Sequence, residues 1–288
     1  MLNFSKNILL RKNHSRIIYR DYSSPSKLFP NYKFIDVIHN DGICKILFNK
    51  EKTCNALCSS LFKEVSDALR IIEESPEIKL TAVGGKGEYF SCGIDIREWY
   101  EKKPKGLLRE KHIIADNLKN FLRSFIRHKK PLIGAFNGPA VGGGANMMTW
   151  FDYNICSNTA NFVIPYVKYG LTPIDLNGYY FPRILGPMKA KEILMFERPI
   201  SATEAKDLNL VNEVVDSKIY WEVVDERLKE FASKNQQNMR EIKRVLHLEK
   251  YDEIDKWSLR EIDIFVENIG KSNFYNEIAA YFSKKNRH

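Results

Sequence analysis

The sequence has no uninterrupted apolar run approaching the ~20 residues that a membrane-spanning helix requires. It also lacks a Cys-x-x-Cys pair. Its five cysteines, Cys44, Cys54, Cys58, Cys92 and Cys156, are odd in number, and Cys54 and Cys58 have no His or Cys neighbours to complete a zinc site. Free thiols in a reducing compartment are the simplest expectation. Its glycine triplet, Gly142-Gly143-Gly144, is followed by no Gly-Lys-Ser/Thr and does not fit Gly-x-Gly-x-x-Gly, so neither a phosphate loop nor a dinucleotide fingerprint is present there. No internal repeat and no basic-aromatic RNA motif are visible, so nucleic acid is not an expected partner. Acidic residues are nearly missing from the first 24 positions, where Lys6, Arg11, Lys12, Arg16 and Arg20 face only Asp21. The longest apolar run there, Ile8-Leu9-Leu10, is too short for a secretory signal. A basic, serine-bearing, acid-poor leader of this kind predicts a mitochondrial presequence and a Ser/Pro-bearing linker over residues 1–30, with a disordered basic tail as the other reading. The rest is ordinary for a globular chain of 288 residues: 44% apolar, 28% charged, formal net charge +9. Outside the leader the positive excess is modest and suits a phosphate-bearing small ligand.

Residues 130–155, KPLIGAFNGPAVGGGANMMTWFDYNI, read as strand, glycine loop, helix, strand. Three adjacent glycines ahead of a helix are costly unless the backbone needs positive φ or something must approach it closely. A helix start offers unpaired N–H groups, so this loop is a candidate donor to an anion or a developing oxyanion; a tight turn against a neighbouring strand explains it equally well. A second glycine turn, with Gly93 just ahead of a helix start at Asp95, follows another strand. Two such turns could direct two N–H groups at one ligand atom, the geometry of an oxyanion hole.

In order, strands are expected over 34–38 and 43–48, split by the hairpin signal Asn40-Asp41-Gly42. A helix is expected over 56–73, ended by Ser75-Pro76. A strand follows over 80–83 and an amphipathic helix over 107–127. After the glycine loop come a strand at 162–164, a turn at 169–173, helices over 182–196 and 203–208, and a strand over 211–215. Asn209 stands where a left-handed residue follows a helix. From Lys218 only helical patterns remain, broken near Gln236 and Gly270. The fold class is therefore α/β: repeating strand-helix units over residues 31–217, then a helical region over 218–288.

FNKEKTCNAL, GEYFSCGIDI, KPLIGAFNGPAVGGGANMM and SATEAKDLNLVNEVV, in this order, resemble the crotonase family of enoyl-CoA hydratases and isomerases. NGPAVGG, YYFPRILGP and the helical tail look most similar to its Δ3,Δ2-enoyl-CoA isomerase branch. The resemblance implies a spiral of ββα units, an acyl-CoA thioester as substrate or ligand with no further cofactor, C-terminal helices that mediate a homotrimer, and a place in fatty-acid β-oxidation. The basic leader points to a mitochondrial matrix location, the peroxisome being less expected without a C-terminal Ser-Lys-Leu-type signal. Carried over, the oxyanion N–H groups are those of Ile94 and Gly143. Asn55, Ala56 and Leu57 lie along the CoA, with Cys92, Gly93, Asp95, Ile96, Gly142, Tyr166 and Ile174 as further substrate-binding positions. Lys50 or Lys52 approaches the phosphates, unless these are solvated surface charges.

The acid–base positions depart from the family. The two hydratase glutamates fall on Asn146 and Tyr166, and the isomerase glutamate falls on Ile174. Moving a proton between C2 and C4 needs a carboxylate within reach of both. Asp175, one residue on, is the tentative base; its other reading is an N-cap for the helix that follows. The expected activity is enoyl-CoA isomerisation with Asp175 as base. The alternatives are a catalytically inactive scaffold, similar to the domain carried by the chromodomain Y-like corepressors, and a hydratase, which the loss of both carboxylates disfavours.

Overall fold

The computed structural model describes residues 28–247, 251–269 and 271–285. The leader expected over residues 1–30 thus lies almost wholly outside the described residues. The described chain opens with an antiparallel hairpin, β1 (Ile35–Asn40) and β2 (Ile43–Phe48), with Asn40 opposite Ile43. Its two loop residues, Asp41 and Gly42, both take positive φ, as a tight hairpin matched to strand twist demands. Helix α1 (Ser59–Glu74) buries Leu61, Val65, Leu69 and Ile72 on one stripe. It begins later than the apolar spacing predicts. Cys54 and Asn55 are both left-handed (φ 51° and 55°), and Leu57 pairs with Ile94 as a single bridge instead of entering the helix.

Strand β3 (Leu80–Gly85) leads by the Gly93 turn to α2 (Ile96–Ile126). The long helix is interrupted at Lys103 (φ 56°, ψ 168°), because Pro104 disfavours helical geometry in the residue before it. Then come β4 (Leu132–Phe136), β5 (Ala140–Val141) and α3 (Gly143–Asn146), which tightens into a 3₁₀ turn over Met147–Thr149. Strands β6 (Tyr153–Ser157) and β7 (Asn161–Val163) precede α4 (Asn177–Leu185) and α5 (Pro187–Leu194). These two replace the single helix expected over 182–196: Gly186 at φ 77° separates them, and Pro187 starts the second. Strand β8 (Ile200–Ser201) runs into α6 (Ala202–Asp207), whose cap is the Ser201 hydroxyl, accepting from Glu204 N–H at 3.2 Å. Asn209 is left-handed as expected, and β9 (Glu213–Val215) follows. Helices α7 (Tyr220–Ser233), α8 (Gln236–His247), α9 (Tyr251–Ile269) and α10 (Ser272–Lys285) complete the chain.

Six strands form the main sheet in the order β1-β2-β3-β4-β6-β9, parallel from β2 onward. A smaller sheet, β5-β7-β8, with the Leu57–Ile94 and Ser91–Ala140 bridges, forms a second layer of short pairings. The succession β1-β2-α1, β4-β5-α3 and β6-β7-α4 is the ββα spiral of the crotonase fold. The strands β5 and β8 have two residues each, too short to leave a period in the sequence. Side chains alternate across the main sheet. Leu80, Ala82, Ile133, Ala135 and Ile155 face Val224 and Leu228 of α7, while Val83, Leu132 and Phe136 face the larger core. Helices α9 and α10 belong to that larger core: Ile262, Phe265, Phe274 and Ile278 are buried in it, and Trp99 of α2 packs edge-on to Phe265. Among the described residues, no helix is long and apolar enough to cross a membrane.

Candidate active site

Two backbone turns meet at the start of α3. In the Leu57–Ile94 bridge, Leu57 N–H donates to Gly93 O (2.8 Å) and Asp95 N–H donates to Leu57 O (2.9 Å). A parallel bridge of this register leaves the middle amide, Ile94 N–H, facing the other way. Gly142 N–H donates to Val163 O (2.8 Å), and the next amide, Gly143 N–H, opens α3, where no intrahelical acceptor exists. Among the described residues neither Ile94 N–H nor Gly143 N–H has a protein acceptor. The turns touch at a position that only glycine fits. Gly93 has φ +83°, and a Cβ on it would stand 2.4 Å from Val141 O and 3.2 Å from Gly143 N. A Cβ on Gly143 would stand 3.9 Å from Ile94 N and 3.3 Å from Leu57 Cδ1. The two amides are thus neighbours, lined by Leu57 and Ile94.

One helical turn beyond Gly143, Asn146 enters a buried polar cluster. Its Nδ2 donates to Asp175 Oδ2 (2.8 Å) and to the Tyr166 hydroxyl (3.0 Å), and its Oδ1 accepts from Asn177 Nδ2 (2.6 Å). The Tyr166 hydroxyl donates to Ile174 O and accepts from Ile174 N–H, both at 3.1 Å, pinning the turn that carries Asp175. Asn146, Tyr166, Asp175 and Asn177 are all buried. Burial pushes the Asp175 carboxyl up to about 6, with the Asn146 amide pulling the other way.

Asp175 is not the N-cap of α4. The cap position is Leu176, and no side chain caps it. Asp175 and Leu176 are both left-handed (φ 66° and 67°), a conformation that costs roughly 1–2 kcal/mol for each non-glycine residue. Ile174, the position aligned with the isomerase glutamate, is 2% exposed and packs in the main core, while Asp175 next to it bonds to Asn146.

The other sequence-derived residues divide. Asn55, expected along the CoA, uses its side chain inside the protein: Oδ1 accepts from Lys50 N–H (3.0 Å), and Nδ2 donates to Lys86 O (2.9 Å) and Tyr89 O (2.8 Å). Ala56 is buried, and its carbonyl accepts from Lys50 Nζ at 3.0 Å, which ties that ammonium to the same loop. Lys52 is exposed. Asp95 stands at the cap position of α2 without capping it; its carboxylate lies 3.5 Å from Lys50 Nζ. The Cys92 thiol reaches Thr53 O (3.3 Å), and burial pushes it up to about 11, so it remains a thiol. Ile96 is half-buried at the start of α2. The sequence reading did not find Trp150, Asn177 and Glu261. Trp150 Nε1 donates to Asp175 O at 3.0 Å, and Glu261 accepts from Leu176 N–H at 2.7 Å. No local motif marks them: Trp150 and Glu261 meet the turn only through tertiary packing, and Asn177, which follows Leu176 directly, reaches Asn146 Oδ1 across the fold.

A fold of this topology, with paired glycine turns and a buried polar cluster one helical turn away, defines a crotonase-type protein. The family profile described as enoyl-CoA hydratase/isomerase matches residues 39–288. Human "Enoyl-CoA delta isomerase 2" is 30% identical over 256 residues, covering 89% of this chain and 65% of that protein. Mouse "Chromodomain Y-like protein" is 30% identical over 257 residues, covering 88% of this chain and 43% of that protein. The chain thus spans less than two thirds of either relative. The crystal structure of an enoyl-CoA hydratase/isomerase from Pseudoalteromonas atlantica superposes with a TM-score of 0.79 at 23% identity, covering 88% of this chain and 98% of that one. The chain belongs to the enoyl-CoA hydratase/isomerase family.

Proposed function

We propose that the protein is a Δ3,Δ2-enoyl-CoA isomerase in which the base is an aspartate, Asp175. One observation carries the reading: a buried carboxylate raised to about 6 bonds to Asn146, one helical turn beyond an unpartnered amide at Gly143. The thioester oxygen of a 3-enoyl-CoA accepts from Ile94 N–H and Gly143 N–H. Asp175 removes a proton from C2, and the electron pair delocalises into the thioester as a dienolate, its oxyanion held by the two amides. The same carboxyl returns the proton to C4, and the double bond comes to rest between C2 and C3. A pKa near 6 suits this shuttle: the group is ionised at pH 7 yet basic enough to take up a proton. Hydration would need carboxylates at both Asn146 and Tyr166, which this chain lacks.

The test is incubation with a 3-enoyl-CoA, following the conjugated product by ultraviolet absorbance, beside a parallel hydration assay with a 2-enoyl-CoA. Isomerisation without hydration is expected; hydration without isomerisation overturns the reading. A second reading, a catalytically inactive crotonase-fold scaffold or corepressor-like protein, is favoured by the loss of the family's glutamates at Asn146, Tyr166 and Ile174, beside the similarity to mouse "Chromodomain Y-like protein". Calorimetric binding of an acyl-CoA with no isomerisation would support it.

A homotrimer through the C-terminal helices is supported by the exposed apolar side chains of Val245 and Leu246 on α8 and Ile264 on α9. A mitochondrial location is supported by five bases against one acid in the first 24 residues. A mature protein that still starts at Met1 in the cytosol contradicts the latter.

A further inference from the structure

We infer that Trp150 and Glu261 clamp the Asp175–Leu176 peptide by its two ends and so aim the Asp175 carboxylate, making helix α9 part of the active site. The inference rests on the isomerase reading for its catalytic consequence, though not for its geometry. The carbonyl of that peptide accepts from Trp150 Nε1 at 3.0 Å, and its N–H donates to Glu261 Oε2 at 2.7 Å. Both flanking residues are left-handed without being glycine, so the peptide does not hold this orientation by its own preference. Residues in such conformations persist where the surroundings fix them, and here two side chains from distant elements do so.

Glu261 is built for the task. Its other oxygen accepts from Gly178 N–H (2.9 Å) and Trp257 Nε1 (3.2 Å), so every polar partner of the carboxylate is a donor. Gly178 makes that approach possible, since a Cβ there would stand 2.6 Å from Glu261 Oε1. The side chain is buried at 7% exposure, 85 positions along the chain from Leu176. A helix that served only to cover the core would place an apolar residue here, as it does at Ile262 and Phe265. Trp150 has its own fixed seat: its ring packs on Phe121 and Phe125 at centroid distances of 5.8 and 5.2 Å. Neither clamp side chain is bonded to Asn146, and neither is assigned contact with the reacting atoms. They are positioning residues that act through Asp175.

Glu261→Gln preserves volume, Trp150→Phe keeps an aromatic ring against Phe121 and Phe125 in a smaller side chain, and each weakens one arm of the clamp. Glu261→Gln presents an NH₂ group to donors that need an acceptor; Trp150→Phe leaves Asp175 O without its donor. Displacement of a reacting group by about 1 Å costs on the order of 100-fold in rate. In the full chain, each variant is expected to lose about 10–100-fold in kcat, with KM and calorimetric acyl-CoA affinity within about threefold of wild type. Their crystal structures are expected to show the Asp175 carboxylate moved off Asn146 Nδ2. Unchanged kcat in both folded variants, or losses that fall on KM and affinity instead, overturn the clamp. A wild type that turns over no 3-enoyl-CoA defeats the isomerase reading but leaves the clamp to be judged by the crystal structures. There, an Asp175 carboxylate still on Asn146 in both variants overturns it.

Discussion

Residues 91–95 and residues 170–178 supply the two halves of the proposed site, and they are made by opposite means. The first turn places a backbone amide, and glycine provides the conformation: Gly93 meets Val141 O where no side chain could stand. The second turn places a side chain, and it does so with two left-handed residues that are not glycine, Asp175 and Leu176. What the first turn gains from composition, the second gains from partners: Tyr166 on Ile174, Trp150 on Asp175 O and Glu261 on Leu176 N–H. A donor that must keep its proton at every pH is well served by the backbone. An acid that must change its protonation state needs a buried side chain, and its surroundings are correspondingly elaborate.

Substitutions can break either half. The largest effect on folding is expected from Ile174→Glu, which restores a glutamate at the position the resemblance aligns. Ile174 is buried in the core next to Asp175, so the new carboxylate has no donor prepared for it. A loss on the order of 3–5 kcal/mol in denaturant unfolding is expected, with no gain in activity. A faster enzyme of undiminished stability would show that Asp175 is not the aimed acid. Gly143→Pro removes one amide proton and should cost about 2.7–4 kcal/mol of transition-state stabilisation, read from kcat/KM. Acyl-CoA affinity falls as well; undiminished calorimetric affinity and rate in the folded variant would reduce the loop to a structural turn. Gly93→Ala meets Val141 O and a positive φ together, and a Tm drop equivalent to about 1–3 kcal/mol is expected.

A stability difference read at two pH values sharpens the contrast. The folded Asp175 carboxyl titrates near 6, above its ordinary 3.8, so folding favours the protonated form. Its contribution to stability is fully present below about pH 4 and is lost as pH rises through about 6. Asp175→Asn is therefore expected to stabilise the protein by about 3 kcal/mol at pH 7.5 and to leave stability unchanged near pH 3.5. Thermal unfolding at the two pH values reads the difference. An equal shift at both would mean that the carboxyl is not held at a raised pKa.

The contrast also explains what the sequence disclosed. Strand β2, the Asn40-Asp41-Gly42 hairpin, left-handed Asn209 and both glycine turns are local features, and each was legible in residue types and spacing. The late start of α1 and the break at Gly186 were not, because in each case a positive φ overrides a continuous apolar stripe. The two-residue strands β5 and β8 are made by pairing alone. The acid half resisted reading for the same reason. Asp175 stands out as a candidate only by its type, and its orientation depends on Asn146, Trp150 and Glu261, which lie 25 to 86 positions away along the chain. No spacing rule connects them.

The central claim is that one buried aspartate moves the proton while two backbone amides hold the charge. Its most direct test is the pH dependence of kcat/KM for 3-enoyl-CoA isomerisation in wild type and Asp175→Asn. The account predicts a wild-type rate that rises from pH 5 to a plateau with a midpoint near 6, and an Asp175→Asn variant that binds acyl-CoA but turns over none at any pH. Turnover that survives in Asp175→Asn with the same pH profile would contradict it.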